Sequence, residues 1–455
     1  MKEGKDLITD ELLRYTIKRL FTIIDELADE NLSIEIESQH ILVKYKGHVI
    51  NFKKPDFNDI SLYVTTDKPV FYTQSEAGNY KIPVFFFDDK YAELTKIGDE
   101  TIYIQFDILS IPILLLTRFE EMLISQRDAF DRFAFEHSIS KKYELIALPI
   151  VDEYAFKLKS VLLALDPDLY LTESTFKLTL THDIDFTRIG QSLKYFGRLQ
   201  LDLLKREKNL LQTLSLGMKT VLSFIHHKID ICTDSVHRLI AISQKYKVDS
   251  EFYFMAAGKS QFNSGYNPAQ GYLEKIYDRI KRSNMKIGIH FGFNTYLNKD
   301  LMLHEKKRLE HAVNQPISIN RQHYLQIKPH VTIPNMHALG IQEDTTLGYA
   351  EQDGFRCGTC HPYSFFDLVA NKELSIMIRP LLVMDVTLMD YKRYTIQEAL
   401  ERMKLLYSRC KSVGGEMMVL WHNTALISHP SWTTEVYEEF LSYYNADRDL
   451  TEKAV

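Results

Sequence analysis

The sequence predicts an α/β protein whose carboxyl-terminal part carries parallel strands, in a barrel or a doubly wound sheet, behind a smaller α/β segment. Three observations lead there. The chain has 455 residues, more than one hydrophobic core usually serves, so two domains are expected, over residues 1–150 and 151–455. Beyond the break at Asp166-Pro167-Asp168, strand-like and helix-like runs alternate, the pattern of parallel strands with crossover helices. Those strands end in polar residues, which is where such folds place their chemistry.

The first segment, taken in order, opens on an amphipathic helix from Glu11 to Leu27, with Leu13, Ile17, Leu20 and Ile24 at helical spacing and Asp10 as its N-cap. Strands are expected at Ile41–Tyr45, Ser61–Val64 and Pro83–Phe87, and a second helix at about Ile108–Ser125, ending near Glu120-Glu121. Residues 126–149 are charged and aperiodic and read as an excursion before the second domain, which begins with a helix at Val151–Leu165. Strands then follow at Lys177–Thr181, Ser250–Met255, Met285–His290, Ser318–Leu325, Leu381–Val386 and Glu416–Leu420. Helices are expected at Gln270–Ser283, Leu301–Asn314 and Tyr394–Val413, the last stopped by Gly414-Gly415. An apolar insertion at about residues 190–233, with Leu199, Leu203, Leu211 and Val221, suggests helices over the strand ends, as a lid or as ordinary packing. No internal repeat is evident.

Composition narrows the function classes. A net charge of -6 and a pI near 6.3 give no electrostatic case for nucleic acid. The charged start, Met1 to Asp6, is not followed by a secretory apolar core. The most apolar run, Ile108 to Thr117, is shorter than the ~20 residues a bilayer span takes. A cytoplasmic location is therefore the default expectation. Four cysteines make no disulfide framework at this length. Cys357-Gly358-Thr359-Cys360-His361 spells the c-type haem attachment pattern, but that chemistry needs an exported, oxidising context; a thiol pair without a catalytic role is the reading adopted.

Five strand ends carry the candidate chemistry. Lys177-Leu178-Thr179-Leu180-Thr181 runs into His182-Asp183-Ile184-Asp185, two carboxylates two residues apart and so on one face of an extended strand. Adjacent acids repel unless a cation offsets them, an environment that suits one as metal ligand and the other as general base. Apolar strands also end in His290, in Asp385 and in His422, and Gly354-Phe355-Arg356 supplies an arginine in a turn.

In order and character these segments resemble the motifs of the polysaccharide deacetylase superfamily, carbohydrate esterase family four, over roughly Lys177 to Asn423. With its amino-terminal segment, the whole chain resembles a divergent bacterial branch associated with surface polysaccharides. The resemblance implies a distorted (β/α) barrel and the hydrolysis of N-acetyl groups on an amino-sugar polysaccharide or precursor. It implies Asp183 as general base, Asp185 and His290 as ligands of a divalent metal, most naturally Zn²⁺, Arg356 orienting the base, and Asp385 orienting His422, the general acid. The family's second metal-binding histidine, four residues after the first, is Asn294 here. An amide oxygen is a poor zinc ligand. His323, in Asn320-Arg321-Gln322-His323-Tyr324, is assigned its place, with Arg321 nearby for an anionic or sugar group and His182 in a supporting role. Two other readings stand beside this one: a catalytically silent carbohydrate-binding or assembly protein, and a barrel glycosidase using Asp183 and Asp185. The amino-terminal segment carries no chemical motif, its aromatics reading as core, and oligomeric state is not legible.

Overall fold

A computed structural model describes residues 7–86, 94–98, 101–189, 197, 201, 210–225 and 230–454. The helix Asp10–Ile24 starts the fold, with Thr9 rather than Asp10 as its cap: the Thr9 hydroxyl accepts from Leu12 N. A five-stranded sheet follows, in the order β1 (Leu32–Ile36), β2 (His40–Tyr45), β3 (His48–Lys53), β7 (Thr101–Ile104), β6 (Thr95–Ile97). β4 (Phe71–Gln74) and β5 (Lys81–Val84) form a separate hairpin; Phe87, expected to end this strand, lies outside the described residues.

Two local expectations fail here for identifiable reasons. The segment expected as a strand at Ser61–Val64 is helix Phe57–Thr65, because Asp56 and Asp59 build a reciprocal capping box that starts a helix. The helix expected at Ile108–Ser125 breaks in two, Ser110–Leu116 and Glu120–Leu123. Arg118 between them turns left-handed, at φ 55°, and spends its guanidinium on Glu120 and Glu121.

The second sheet has nine strands in the order β13-β14-β12-β11-β10-β9-β8-β16-β15. Their ranges are β8 Lys177–Ile184, β9 Asp249–Met255, β10 Lys286–Phe291, β11 Ile319–Gln322, β12 Glu343–Asp344, β13 Tyr363–Asp367, β14 Lys372–Ile378, β15 Val383–Met384 and β16 Glu416–Leu420. All pair in parallel except β13 with β14. The sheet is open among the described residues, so the barrel is corrected to a large parallel sheet with one antiparallel edge. One edge is β15, two residues long. At the other, β13 folds back antiparallel on β14 and occupies the ladder that closure would need.

The expected crossover helices are present as Gly271–Arg282, Lys299–Val313 and Ile396–Ser412. Gly414, at φ 67°, ends the last of them in the left-handed form that glycine adopts freely. Of the insertion expected at about 190–233, most lies outside the described residues, Leu199 and Leu203 included. The described part includes helix Leu210–Ile225, on which Leu214, Met218 and Val221 are exposed.

One continuous apolar cluster runs from Leu12 and Phe21 through Val151 and Leu158 to Val419 and Leu441, so the amino-terminal elements share a core with the large sheet. Residues 126–149 are not a free excursion. Ile139 N donates to Glu120, Phe135 N to Glu351, and Arg132 Nη1 to the Tyr324 carbonyl. No helix among the described residues is long and apolar enough to cross a membrane.

Candidate active site

In a parallel sheet the carboxyl ends of all strands lie along one edge, so residues far apart in sequence meet there. β8 delivers Asp183 and, one residue past its end, Asp185; β10 delivers His290. The turn after β11 delivers His323, and the residues after β15 and β16 deliver Asp385 and His422. Asp183, Asp185, His290, His323 and His422 line one cavity of about 620 Å³, within the size range of small-molecule sites.

The geometry is convergent. Asp185 Oδ1 lies 3.5 Å from His290 Nε2 and 3.6 Å from His323 Nε2. Each ring is held by its other nitrogen. His290 Nδ1 donates to the Arg321 carbonyl at 2.8 Å, and His323 Nδ1 to Asn263 Oδ1 at 3.0 Å. Both Nε2 lone pairs are thereby directed at Asp185, which is how metal-binding histidines are oriented in general. Asp185 Oδ1 and His290 Nε2 are buried and have no hydrogen-bond partner among the described residues, an arrangement that is costly unless something else fills the gap. A carboxylate oxygen and two imidazole nitrogens within 4.8 Å of one another form a donor set suited to zinc or a similar divalent ion. The residues present fit a metal.

A second group with metal-like composition, Asp152, Cys360 and His361, gives the opposite result. Asp152 already accepts from Thr359 Oγ1, Cys360 N and Cys360 Sγ. His361 is tied through Nε2 to the Val413 carbonyl and through Nδ1 to Ser174. Burial pushes the Cys360 thiol well above its ordinary pKa. Its polar groups are spent on tying the 357–361 loop to Asp152 of helix Ile150–Leu165, to Ser174 and to Val413, and Cys357 and Cys360 are buried free thiols.

Two charged pairs flank the convergent donors. Arg321, fully buried, donates from Nη1 to Asp183 Oδ1 at 3.2 Å and to Thr181 Oγ1 at 2.7 Å. Asp385 accepts from both His422 Nδ1 and His422 N at 2.7 Å. Burial opposes a charged His422, but Asp385 outweighs it and raises the imidazole to about 10. Burial likewise raises the Asp185 carboxyl, and the surrounding histidines, led by His323, more than offset it, holding the group well below the usual carboxylate range. Burial drives His323 down to about 3 despite Asp185, so its imidazole is neutral, as a ligand must be.

Set against the sequence, Asp183, Asp185, His290, His323, Asp385 and His422 come together, and Arg356 does not join them. Its guanidinium pairs with Glu121 at 2.7 Å and the Gly348 carbonyl at 2.8 Å. The 354–356 turn packs under the amino-terminal elements, where Arg118 Nη1 binds the Arg356 carbonyl, so Arg356 answers a buried glutamate there. The arginine on Asp183 is Arg321. Asn294 sits exposed in the 3-10 turn Phe293–Thr295, off the end of the strand. His182 faces away from the cavity: Nδ1 contacts the Trp421 carbonyl at 2.9 Å, its ring packs on Phe252, and burial lowers it to about 4.

Sequence reasoning missed Asn263, Glu305 and Arg132. Glu305, from helix Lys299–Val313, accepts the Gly292 N–H at 2.8 Å and braces the loop after His290; burial raises its carboxyl to about 7. Tyr324 and Leu325, just after His323, are both left-handed at φ 62° and 52°. For residues with a Cβ such backbone costs about 1–3 kcal/mol each and concentrates at functional sites.

A model of a family of unknown function (DUF7033) matches residues 6–167, ending before β8. No curated protein matches the chain. Among solved structures, the chain is similar to a putative polysaccharide deacetylase from Mycobacterium smegmatis, at 17% identity and a TM-score of 0.38, covering 61% of this chain and 86% of that one. It is also similar to a CE4 family pseudoenzyme from Bacillus anthracis, at 12% identity and a TM-score of 0.29, covering 60% of this chain and 62% of the other. A third similar structure is the Xyl-CE4 domain of a multidomain xylanase from the hindgut metagenome of Trinervitermes trinervoides. It has 10% identity and a TM-score of 0.28, and the match covers 60% and 85% of the two chains.

Proposed function

We propose that the chain is a metal-dependent hydrolase that removes N-acetyl groups from an amino-sugar glycan. The observation that carries the reading is the convergence of three donors, two of them buried without a hydrogen-bond partner among the described residues, between an acid–arginine pair and an acid–histidine pair. Asp185, His290 and His323 would hold the metal, which when bound supplies Lewis-acid polarisation of an acyl oxygen and of water. Asp183, 3.6 Å from His290 Nε2 and oriented by Arg321, is placed to take a proton from a water attacking the acetamide carbon. His422, charged through Asp385, carries a proton on Nε2, 3.9 Å from Asp185 Oδ2, and would give it to the departing amine. Acid and base thus hang on different partners, Asp385 and Arg321, which lets one give a proton while the other takes one. The products are acetate and a free amino sugar.

The test is acetate release from N-acetylglucosamine oligomers by metal-loaded protein. Asp183→Asn and His422→Ala should each lower the rate by about 10²–10⁴, the usual worth of a positioned acid or base. Variants as active as the wild type would exclude this assignment. Binding of the oligomers without acetate release would favour the silent carbohydrate-binding reading, and release of new reducing ends would favour a glycosidase.

A further inference from the structure

The third donor rides on an unusual piece of chain. His323 opens a turn whose next two residues, Tyr324 and Leu325, are both left-handed without being glycine. One backbone hydrogen bond inside the turn, from Gln326 N to the His323 carbonyl at 3.2 Å, is little to hold such a conformation. The supports come from outside. Asn263 grips the His323 ring on one side. On the other, Arg132 Nη1 donates to the Tyr324 carbonyl at 2.9 Å across 192 residues of sequence.

Arg132 is itself made rigid. Asp128 accepts from Arg132 Nε at 2.8 Å and from the main-chain N–H groups of Phe130 and Arg132, winding the loop around one carboxylate. Arg132 stacks over the Phe130 ring at 4.9 Å, and Phe130 packs against the Tyr324 ring at 5.3 Å. The next residue, Asp131, joins Lys328 at 2.7 Å and the Tyr296 hydroxyl at 2.8 Å, fastening the loop beyond the turn as well. Arg132 and Tyr324 both line the cavity, where Arg132 is the one arginine or lysine among the lining residues described.

We propose that Arg132, from the segment matched by the family of unknown function, is a positioning residue that clamps the His323–Leu325 turn and so presents His323 Nε2 to Asp185. The proposal rests on the metal site of the preceding section. It gives the amino-terminal segment a part in the site: a planar guanidinium reaches Asp128 from Nε and the Tyr324 carbonyl from Nη1, a fixed fork that lysine's single nitrogen does not reproduce.

The full-length chain, stripped with chelator and titrated with Co²⁺ and Zn²⁺, tests this without any substrate. The visible spectrum of bound Co²⁺ reports its ligand set, and competition with a chromophoric chelator gives the Zn²⁺ affinity. His323→Ala defines the signature of losing the third donor. Arg132→Met is expected to move the spectrum toward that signature and to weaken Zn²⁺ about 10–100-fold, the range for residues that orient ligands. Arg132→Lys should fall between and decides the matter if the methionine variant does not fold. The proposal is overturned if every Arg132 variant that folds keeps the wild-type spectrum and an affinity within twofold while His323→Ala does not. If the wild type takes up neither ion, the metal site itself is wrong and the clamp falls with it, a result distinct from failure of Arg132 alone.

Discussion

Replacing Arg321 with methionine isolates the pairing that distinguishes this site from its sequence-based expectation. Methionine is similarly long and carries no charge, so the change removes the guanidinium and little volume. Arg321 Nη1 is 3.2 Å from Asp183 Oδ1; at an effective dielectric of about 20 the attraction is roughly 5 kcal/mol. Asp183 is 2% exposed, and the variant strands its carboxylate beside His290. Breaking a buried pair from one side costs about 3–5 kcal/mol, and Arg321→Met should lose stability in that range. Asp183→Asn in the same chain should return about 2 kcal/mol or more of the loss, because the stranded charge is gone. Urea unfolding at pH 7 with chelator present, read as a shift in midpoint at constant slope, measures both. Arg356→Met should be additive with Asp183→Asn, since Arg356 pairs with Glu121. A loss below about 1 kcal/mol for Arg321→Met, or coupling of Asp183 to Arg356 in its place, would refute the reasoning.

Two further outcomes concern pH. Burial raises Glu305 from an ordinary 4.5 to about 7, so it destabilises the fold when ionised: its stability is complete below pH 4.5 and is lost as pH rises through 7. Glu305→Gln keeps an acceptor for Gly292 N, and should gain about 3 kcal/mol relative to wild type between pH 4.5 and 8.5, by urea unfolding at both; equal gain at both pH values would contradict the assignment. His422 behaves in the opposite sense to a buried neutral histidine. Its folded pKa of about 10 lies above the ordinary 6.5, so its contribution is complete below pH 6.5 and disappears as pH rises through 10. In metal-free Asp385→Asn, the His422 resonance in an NMR titration should move below pH 8, while an unchanged midpoint would show that Asp385 is not what charges it.

The sequence was most legible where periodicity and strand ends coincide. Apolar runs stopping at Asp183, His290, Asp385 and His422 mark strand termini directly, because a parallel strand buried on both faces tolerates polar residues only at its ends. His323 was legible through Asn294: where the resemblance expects an imidazole the chain has an amide, and the polar end of the next strand carries one. The arginine was not legible. Arg321 and Arg356 both lie in turn-like or strand-end contexts, and which one meets Asp183 depends on Glu121, whose position is set by the left-handed Arg118 break. Sheet closure was equally hidden, since it turns on a two-residue β15 and on a β13–β14 hairpin whose place at the sheet edge no local pattern records. Asn263 and Arg132 act through single contacts across loops, which no spacing rule records.

The central claim is that Asp185, His290 and His323 hold one divalent metal between the Asp183–Arg321 and His422–Asp385 pairs. Anomalous diffraction at the zinc edge from crystals grown with Zn²⁺ tests it most directly. The account predicts a single strong peak about 2.0–2.2 Å from Asp185 Oδ1, His290 Nε2 and His323 Nε2 together. A peak absent from this point, or one bound by Asp152, Cys360 and His361 with none here, would contradict it.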